Sequence, residues 1–268
     1  MTDQDGNRSS TISWHRIVGL DEAGAWESPT VVLVHAVGLS RRMWRPQLEL
    51  LQGEFHVLAP DLPGHGAYSS ATFHLEQAVE EIRALLNRKV EYKVCLVGES
   101  IGGYVALAAA AREPDKVAGL VLSSSSHNLP PRMAIRARLM VGPLRRAFLA
   151  LGGEAYLARK IMRRARKQYD EQIARWVRAG GLRPRAIAES LSQLVDMDFP
   201  AQLEAVSCPV LALNGARDRF LRRPAADFLS HARQGRRETV VDAGHMISLD
   251  QPKLFSRLVA DFARDLDW

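Results

Sequence analysis

Three residue types that together can activate a hydroxyl group occur in this chain in suitable settings. Ser100 stands in Gly98-Glu99-Ser100-Ile101-Gly102, Asp218 in Asn214-Gly215-Ala216-Arg217-Asp218, and His245 in Asp242-Ala243-Gly244-His245. A serine hydroxyl near its free pKa is a poor nucleophile, so it needs an imidazole to take its proton. The imidazole in turn needs a buried carboxylate to fix its tautomer and stabilise the imidazolium. The chain order is therefore nucleophile, acid, base. Asp242 and Asp250 are rival acids, but Asp242 ends the same strand that presents His245, whereas Asp218 comes from the neighbouring loop, which favours Asp218.

The elements that must hold these residues can be read around them. Val94-Cys95-Leu96-Val97 has the β-branched, apolar content of a buried strand, and an alanine-rich helix starts directly after Ser100. Gly98 and Gly102 remove side chains where strand and helix meet, so the serine can hold a strained conformation with its hydroxyl exposed. Upstream, Thr11 to Val18 reads as an edge strand and Thr30 to His35 as a central strand. The loop Ala36 to Ser40 then leads into a helix through Met43, Trp44, Leu48 and Leu51, with Ser40 as its N-cap. Phe55 to Ala59 is the next strand, closed by the turn Pro60-Asp61-Leu62-Pro63-Gly64-His65-Gly66, and Leu75, Val79, Ile82, Leu85 and Leu86 mark a helix. Strands follow at Val117 to Leu122, Cys208 to Leu213 and Arg237 to Val241, with helices at about 224–232 and 251–262. Alternating strands and helices imply an α/β fold, a mostly parallel sheet with helices on both faces. In such sheets function collects beyond the carboxyl ends of the strands, where Ser100, Asp218 and His245 all fall.

Between 127 and 200 the alternation stops. Leu157, Ile161, Ala165, Tyr169, Ile173 and Trp176 or Val177 form a stripe at steps of about four. Breaks fall at Gly142-Pro143, Gly152-Gly153, Gly180-Gly181 and Pro184, so the segment reads as an all-helical insertion. The organisation expected is a polar, disordered tail at 1–10, a core domain at 11–126 and 201–268, and the insertion at 127–200.

Composition narrows the function classes. With 268 residues and 47% apolar content, the chain can bury one large core without disulfides. Its two cysteines, Cys95 and Cys208, lack metal-ligand spacing, and no signal peptide or membrane span is evident, which points to a cytoplasmic protein without a metal. The net charge of +6 is uneven: from Arg132 to Arg185, thirteen arginines and two lysines face only Glu154, Asp170 and Glu171, a balance of +12 that leaves −6 for the rest. Either these helices keep wet outer faces, or the basic surface attracts an anionic substrate or an acidic acyl-carrier protein presenting a thioester. No recognition motif accompanies the charge, which argues against nucleic acid.

From Pro29 to Leu266 the chain resembles the α/β-hydrolase family. The resemblance rests on the strand, elbow and helix around Ser100, the His35 loop, Asp61-Leu62-Pro63-Gly64-His65-Gly66, Gly215-x-x-Asp218 after Pro209, and Gly244-His245 followed by Pro252. It implies a sheet of about eight strands and a helical cap at the insertion. It also implies a triad of Ser100, Asp218 and His245, an oxyanion hole from the backbone N–H groups of Val37 and Ile101, and no cofactor. Where the family usually has His-Gly after the second strand, this chain has His35-Ala36, which restricts φ in the oxyanion loop. His35 and His65 read as loop supports rather than bases. A serine at the elbow separates the chain from the family's dehalogenases and epoxide hydrolases, which place aspartate there. The implied reaction is hydrolysis of a carboxylic ester, lactone or thioester through an acyl-enzyme. The same triad also serves acyl transfer, carbon–carbon bond hydrolysis and lyase chemistry, and some family members are receptors with little turnover.

Overall fold

The computed structural model describes residues 19–125, 149–194, 197–218 and 228–268. Seven strands form one sheet: β1 (Leu20–Ala23), β2 (Thr30–Val34), β3 (His56–Pro60), β4 (Val94–Glu99), β5 (Val117–Ser123), β6 (Val210–Gly215) and β7 (Gly235–Val240). Their spatial order is β1-β3-β2-β4-β5-β6-β7, parallel throughout except for β1, which runs antiparallel to β3. The sheet thus has seven strands among the described residues where the sequence suggests about eight. The edge strand expected at Thr11 to Val18 lies outside those residues; Leu20–Ala23 occupies the edge, pairing Leu20 with Pro60 and Ala23 with Val57. The polar tail, the start of the insertion and positions 224–227 of the helix expected at 224–232 also lie outside them.

Every residue of β2, β4, β5 and β6 is buried, which explains their unbroken apolar sequences: helices cover both faces. Alternate side chains enter different cores. Val32, Val34 and Leu96 pack on one side with α2 (Leu75–Lys89) and α3 (Ile101–Arg112), while Val31, Leu33, Cys95 and Val97 pack on the other. The second core is closed by α1 (Arg45–Leu51) and a C-terminal helix at Pro252–Arg264, through Trp44, Leu48, Phe255 and Val259. Ser40 does cap the element after the β2 loop, accepting from the Arg42 N–H at 3.3 Å, but the first turn is a 3₁₀ turn, Arg41–Trp44, before α1 begins.

From β2 the chain steps outward to β3 and then returns past β2 to β4, so the loops after β2 and β4 diverge at a switch point. A crevice opens at such a point in an open α/β sheet. The His35 loop and Ser100 both border it.

Between β5 and β6 the described chain is helical: α4 (Glu154–Gln168), α5 (Glu171–Ala179), α6 (Pro184–Leu194) and α7 (Phe199–Glu204). The apolar stripe through Tyr169 spans two helices. Tyr169 is extended, and Asp170 caps α5 by accepting from the Ile173 N–H at 2.8 Å. Helix α7 crosses the boundary drawn at 200, and its Phe199 packs its ring 4.1 Å from that of Tyr104 in the main core. Among the described residues no helix is long and apolar enough to cross a membrane.

Candidate active site

The elbow follows from a steric constraint. A Cβ on Gly98 would lie 2.2 Å from the Gly102 carbonyl oxygen, and one on Gly102 would lie 2.2 Å from that of Val34, so β4 can meet helix α3, and α3 the end of β2, only through glycine at these positions. Ser100 takes the left-handed φ of 57° with ψ −121°, unfavourable for a side chain bearing a Cβ. Its amide is tied to Ser123 on β5 at 2.8 Å, which fixes the turn against the sheet.

Beyond β6 and β7 two further loops converge on it. The Ala216 N–H donates to Val240 and the Arg217 N–H to Ala243, both at 2.9 Å, stitching the aspartate loop to the histidine loop. Asp218, 3% exposed, accepts from His245 Nδ1 at 2.6 Å, and His245 Nε2 lies 2.9 Å from Ser100 Oγ. Ser100, His245 and Asp218 therefore form one hydrogen-bonded chain assembled from the ends of β4, β6 and β7. Burial acts to lower the His245 pKa, but the hydrogen bond and charge of Asp218, helped by Glu99 and Asp250, outweigh it and raise the value.

The rival carboxylates lie elsewhere. Asp242 is exposed and pairs with Arg217 at 2.6 Å. Asp250 accepts from the Gly244 N–H at 2.7 Å and from Gln168 Nε2 at 2.6 Å, and also receives the Tyr169 hydroxyl. It braces the histidine loop from behind and links it to the end of α4.

A family model described as the alpha/beta hydrolase family matches residues 31–258. The chain belongs to the α/β-hydrolase family. A relative named pimeloyl-[acyl-carrier protein] methyl ester esterase, from Neisseria meningitidis, is 30% identical over 245 residues, covering 87% of this chain and 92% of its own. Among solved structures, a thermophilic esterase from Thermogutta terrifontis superposes with a TM-score of 0.73 at 25% identity, covering 91% of this chain and 92% of that one. MenH from S. aureus superposes with a TM-score of 0.78 at 20% identity, covering 93% and 99%, a likeness of fold.

In this α/β-hydrolase the loop after β2 is held by two buried histidines. His35 donates from Nδ1 to the Ala36 carbonyl at 2.9 Å and accepts the Leu62 N–H at Nε2 at 3.0 Å. His65 donates from Nδ1 to Pro63 and accepts the Gly38 N–H at Nε2, each at 2.9 Å. Burial lowers the His35 pKa to about 4; burial and the neighbouring His35 lower that of His65 to about 3, so both rings stay neutral. They act as loop ties. Ala36 creates no conflict, because the left-handed residue of this loop is Gly38, at φ 77°. Among the described residues neither the Val37 nor the Ile101 amide is taken by a protein acceptor, and Ile101 opens helix α3 beside Ser100.

Sequence reasoning gave Glu99 no role. It is fully buried, and accepts from Ser123 Oγ at 3.0 Å and the Ser248 N–H at 3.1 Å through Oε1, and from Ser248 Oγ at 2.5 Å through Oε2. The available signal was a carboxylate closing an otherwise apolar strand.

Proposed function

We propose that this α/β-hydrolase is a serine-dependent carboxylic ester hydrolase acting through an acyl-enzyme. The observation that carries the proposal is the continuous chain from Ser100 Oγ to His245 at 2.9 Å and on to Asp218 at 2.6 Å. His245 Nε2 takes the serine proton as Oγ bonds to the acyl carbon. The tetrahedral oxyanion is received by the N–H groups of Val37 and Ile101. The carbon–oxygen bond to the alcohol then breaks, and His245 returns the proton to the leaving oxygen. Water, deprotonated by the same nitrogen, attacks the acyl-serine; the acid departs and Ser100 regains its proton. Asp218 keeps Nδ1–H aligned and stabilises the imidazolium in both halves.

Residues 127–200 are assigned as the cap over this site. Two contacts support the assignment: the Arg183 N–H donates to the Gly38 carbonyl of the oxyanion loop at 2.9 Å, and Gln168 reaches Asp250 on the histidine loop. On α4 the side chains of Arg159, Lys160, Arg163, Arg164, Arg166 and Lys167 are exposed, and among the described residues none has an acidic partner within 4.0 Å. This surface suits an acidic carrier protein bearing the acyl ester, the substrate type named for the meningococcal relative.

The test is labelling with a fluorophosphonate followed by turnover of p-nitrophenyl esters. Labelling should map to Ser100, and Ser100→Ala or His245→Ala should each lower kcat by about 10⁴ or more with the fold retained. Near-normal turnover in either variant would remove the triad assignment.

A further inference from the structure

We propose that Glu99 is a positioning residue of the reaction: its carboxyl group joins the strand carrying the nucleophile to the loop carrying the base. The inference rests on the triad of Ser100, His245 and Asp218.

The first observation is connectivity. Glu99 immediately precedes Ser100, whereas Ser248 lies three residues beyond His245, in the short helix Ile247–Asp250. Two of the three hydrogen bonds that Glu99 accepts come from Ser248, one from its backbone N–H and one from its hydroxyl, and the third comes from Ser123 at the end of β5. Ser248 is itself anchored from the far side, where Gln47 Nε2 donates to its carbonyl at 3.0 Å. Glu99 thus bridges the strand that ends at Ser100 and the segment that follows His245. An apolar residue at position 99 would leave the Ser248 N–H without that acceptor in the interior, which is unfavourable for a buried donor.

The second observation is charge. His245 is faced by Asp218 from the loop after β6, by Asp250 from the helix that follows it, and by Glu99 from β4; all three favour the imidazolium. Glu99 is faced by His245 and by Tyr169, whose hydroxyl is engaged by Asp250. Burial outweighs the bonds from Ser248 and Ser123 and the charge of His245, so the Glu99 pKa is raised. A carboxyl group enclosed at 0% exposure cannot touch substrate, so it acts through His245 and the loop geometry.

The experiment uses Glu99→Gln, which keeps size and one acceptor oxygen but removes the charge and turns an NH₂ group toward the donors of Ser248. Active sites are counted by fluorophosphonate labelling, so that rates refer to folded enzyme. Loss of the bridge should lower kcat about tenfold with KM within about twofold, and loss of the carboxyl group's pull on His245 should move the acid limb of kcat/KM to lower pH. Ser248→Ala, which removes only the hydroxyl bond, should shift rate and limb in the same direction by less, and it decides the matter if Glu99→Gln fails to fold. Full labelling with an unmoved acid limb and kcat within twofold in the folded variants would overturn the role of Glu99 while leaving the triad standing. Absence of Ser100 labelling in the unmodified enzyme would overturn the triad, and this inference with it.

Discussion

Replacing Asp218 by asparagine tests the acid of the triad most directly, because the substitution keeps the shape of the side chain and removes only its charge. The imidazolium formed on His245 is stabilised by a carboxylate whose Oδ2 lies 2.6 Å from Nδ1 and whose own exposure is 3%. His245 is 42% exposed at its side chain, so the pair is screened more than a buried one, and an effective dielectric constant of about 20 is appropriate. Charge centres about 4 Å apart then interact by about 4 kcal/mol, or about 10³ in rate. Asp218→Asn should lower kcat on a p-nitrophenyl ester by about that factor. The pH profile gives a second readout. Catalysis needs the neutral base, and the carboxylate raises the His245 pKa above its ordinary 6.5, so activity falls as pH drops through that raised value. In Asp218→Asn the acid limb should slide to lower pH. Asp250→Asn keeps a carbonyl acceptor for the Gly244 N–H and should stay within about tenfold of the unmodified enzyme, and the exposed Asp242→Asn within about twofold. An Asp218→Asn rate within tenfold of the unmodified enzyme, or a larger loss in Asp250→Asn, would refute the assignment.

The two loop histidines predict acid sensitivity of a definite sign. Their pKa values are lowered to about 4 and about 3, so below the unfolded value of 6.5 the unfolded chain binds protons that the folded one refuses; stability should fall as pH drops from about 6.5 toward 4, by about 1.4 kcal/mol per unit for each ring, in denaturant titrations. Unchanged stability across that range would mean that the rings are charged in the native state. His65→Leu should leave the buried Gly38 N–H without its acceptor, costing roughly 1–3 kcal/mol in urea unfolding, and should lower kcat because the Val37 amide loses its support. Reversal of Arg163, Arg164 and Arg166 to glutamate should lower kcat/KM for a carrier-bound ester several-fold at low salt, with little change for a small neutral ester. Equal effects on both substrates would leave these arginines as a solvated surface, since exposed charges are screened over about 8 Å at physiological salt.

The core and the three residues of the hydrogen-bonded chain were legible because each writes a local signature. Buried parallel strands appear as unbroken apolar runs, and the elbow needs glycine on both sides of its serine, so Ser100 stands out without any tertiary information. Asp218 and His245 follow from the rule that such sheets place chemistry at strand ends. Tyr169 shows where that method stops: its stripe continues at helical spacing across a chain break, and only Asp170 turning to cap the next helix reveals two helices. Phe199 is a different case: Asp198 caps α7 by accepting from the Ala201 N–H and Pro200 stands in its first turn, so the helix start is written locally although its packing on Tyr104 is not. Glu99 was invisible for a different reason. Its partners Ser123 and Ser248 lie 24 and 149 residues away, so nothing near it in sequence says why a carboxylate belongs inside an apolar strand.

The helices between β5 and β6 rest on both halves of the site. At one end, the Arg183 N–H holds the Gly38 carbonyl, within the same loop that presents the Val37 amide. At the other, Gln168 and Tyr169 converge on Asp250, which holds the Gly244 N–H next to His245. Near α2, Glu189 and Gln193 bind the backbone of Phe73 and Leu75, tying α6 to the core that carries the elbow helix. Apolar contacts add to these polar anchors: Ile173 and Val177 of α5 share a core with Trp44, and Leu194 of α6 and Phe199 and Leu203 of α7 share the other with Tyr104. A polar bond exchanges with water at low net cost, about 0.5–1.5 kcal/mol each, so the apolar contacts hold the segment on the core while the polar ones set how it meets the loops. Displacement at either end would loosen a loop that presents a reacting group. The geometry of the chain Ser100–His245–Asp218 is thus coupled to these helices through a few residues, and substitutions at Gln168 or Arg183 should move KM and kcat together.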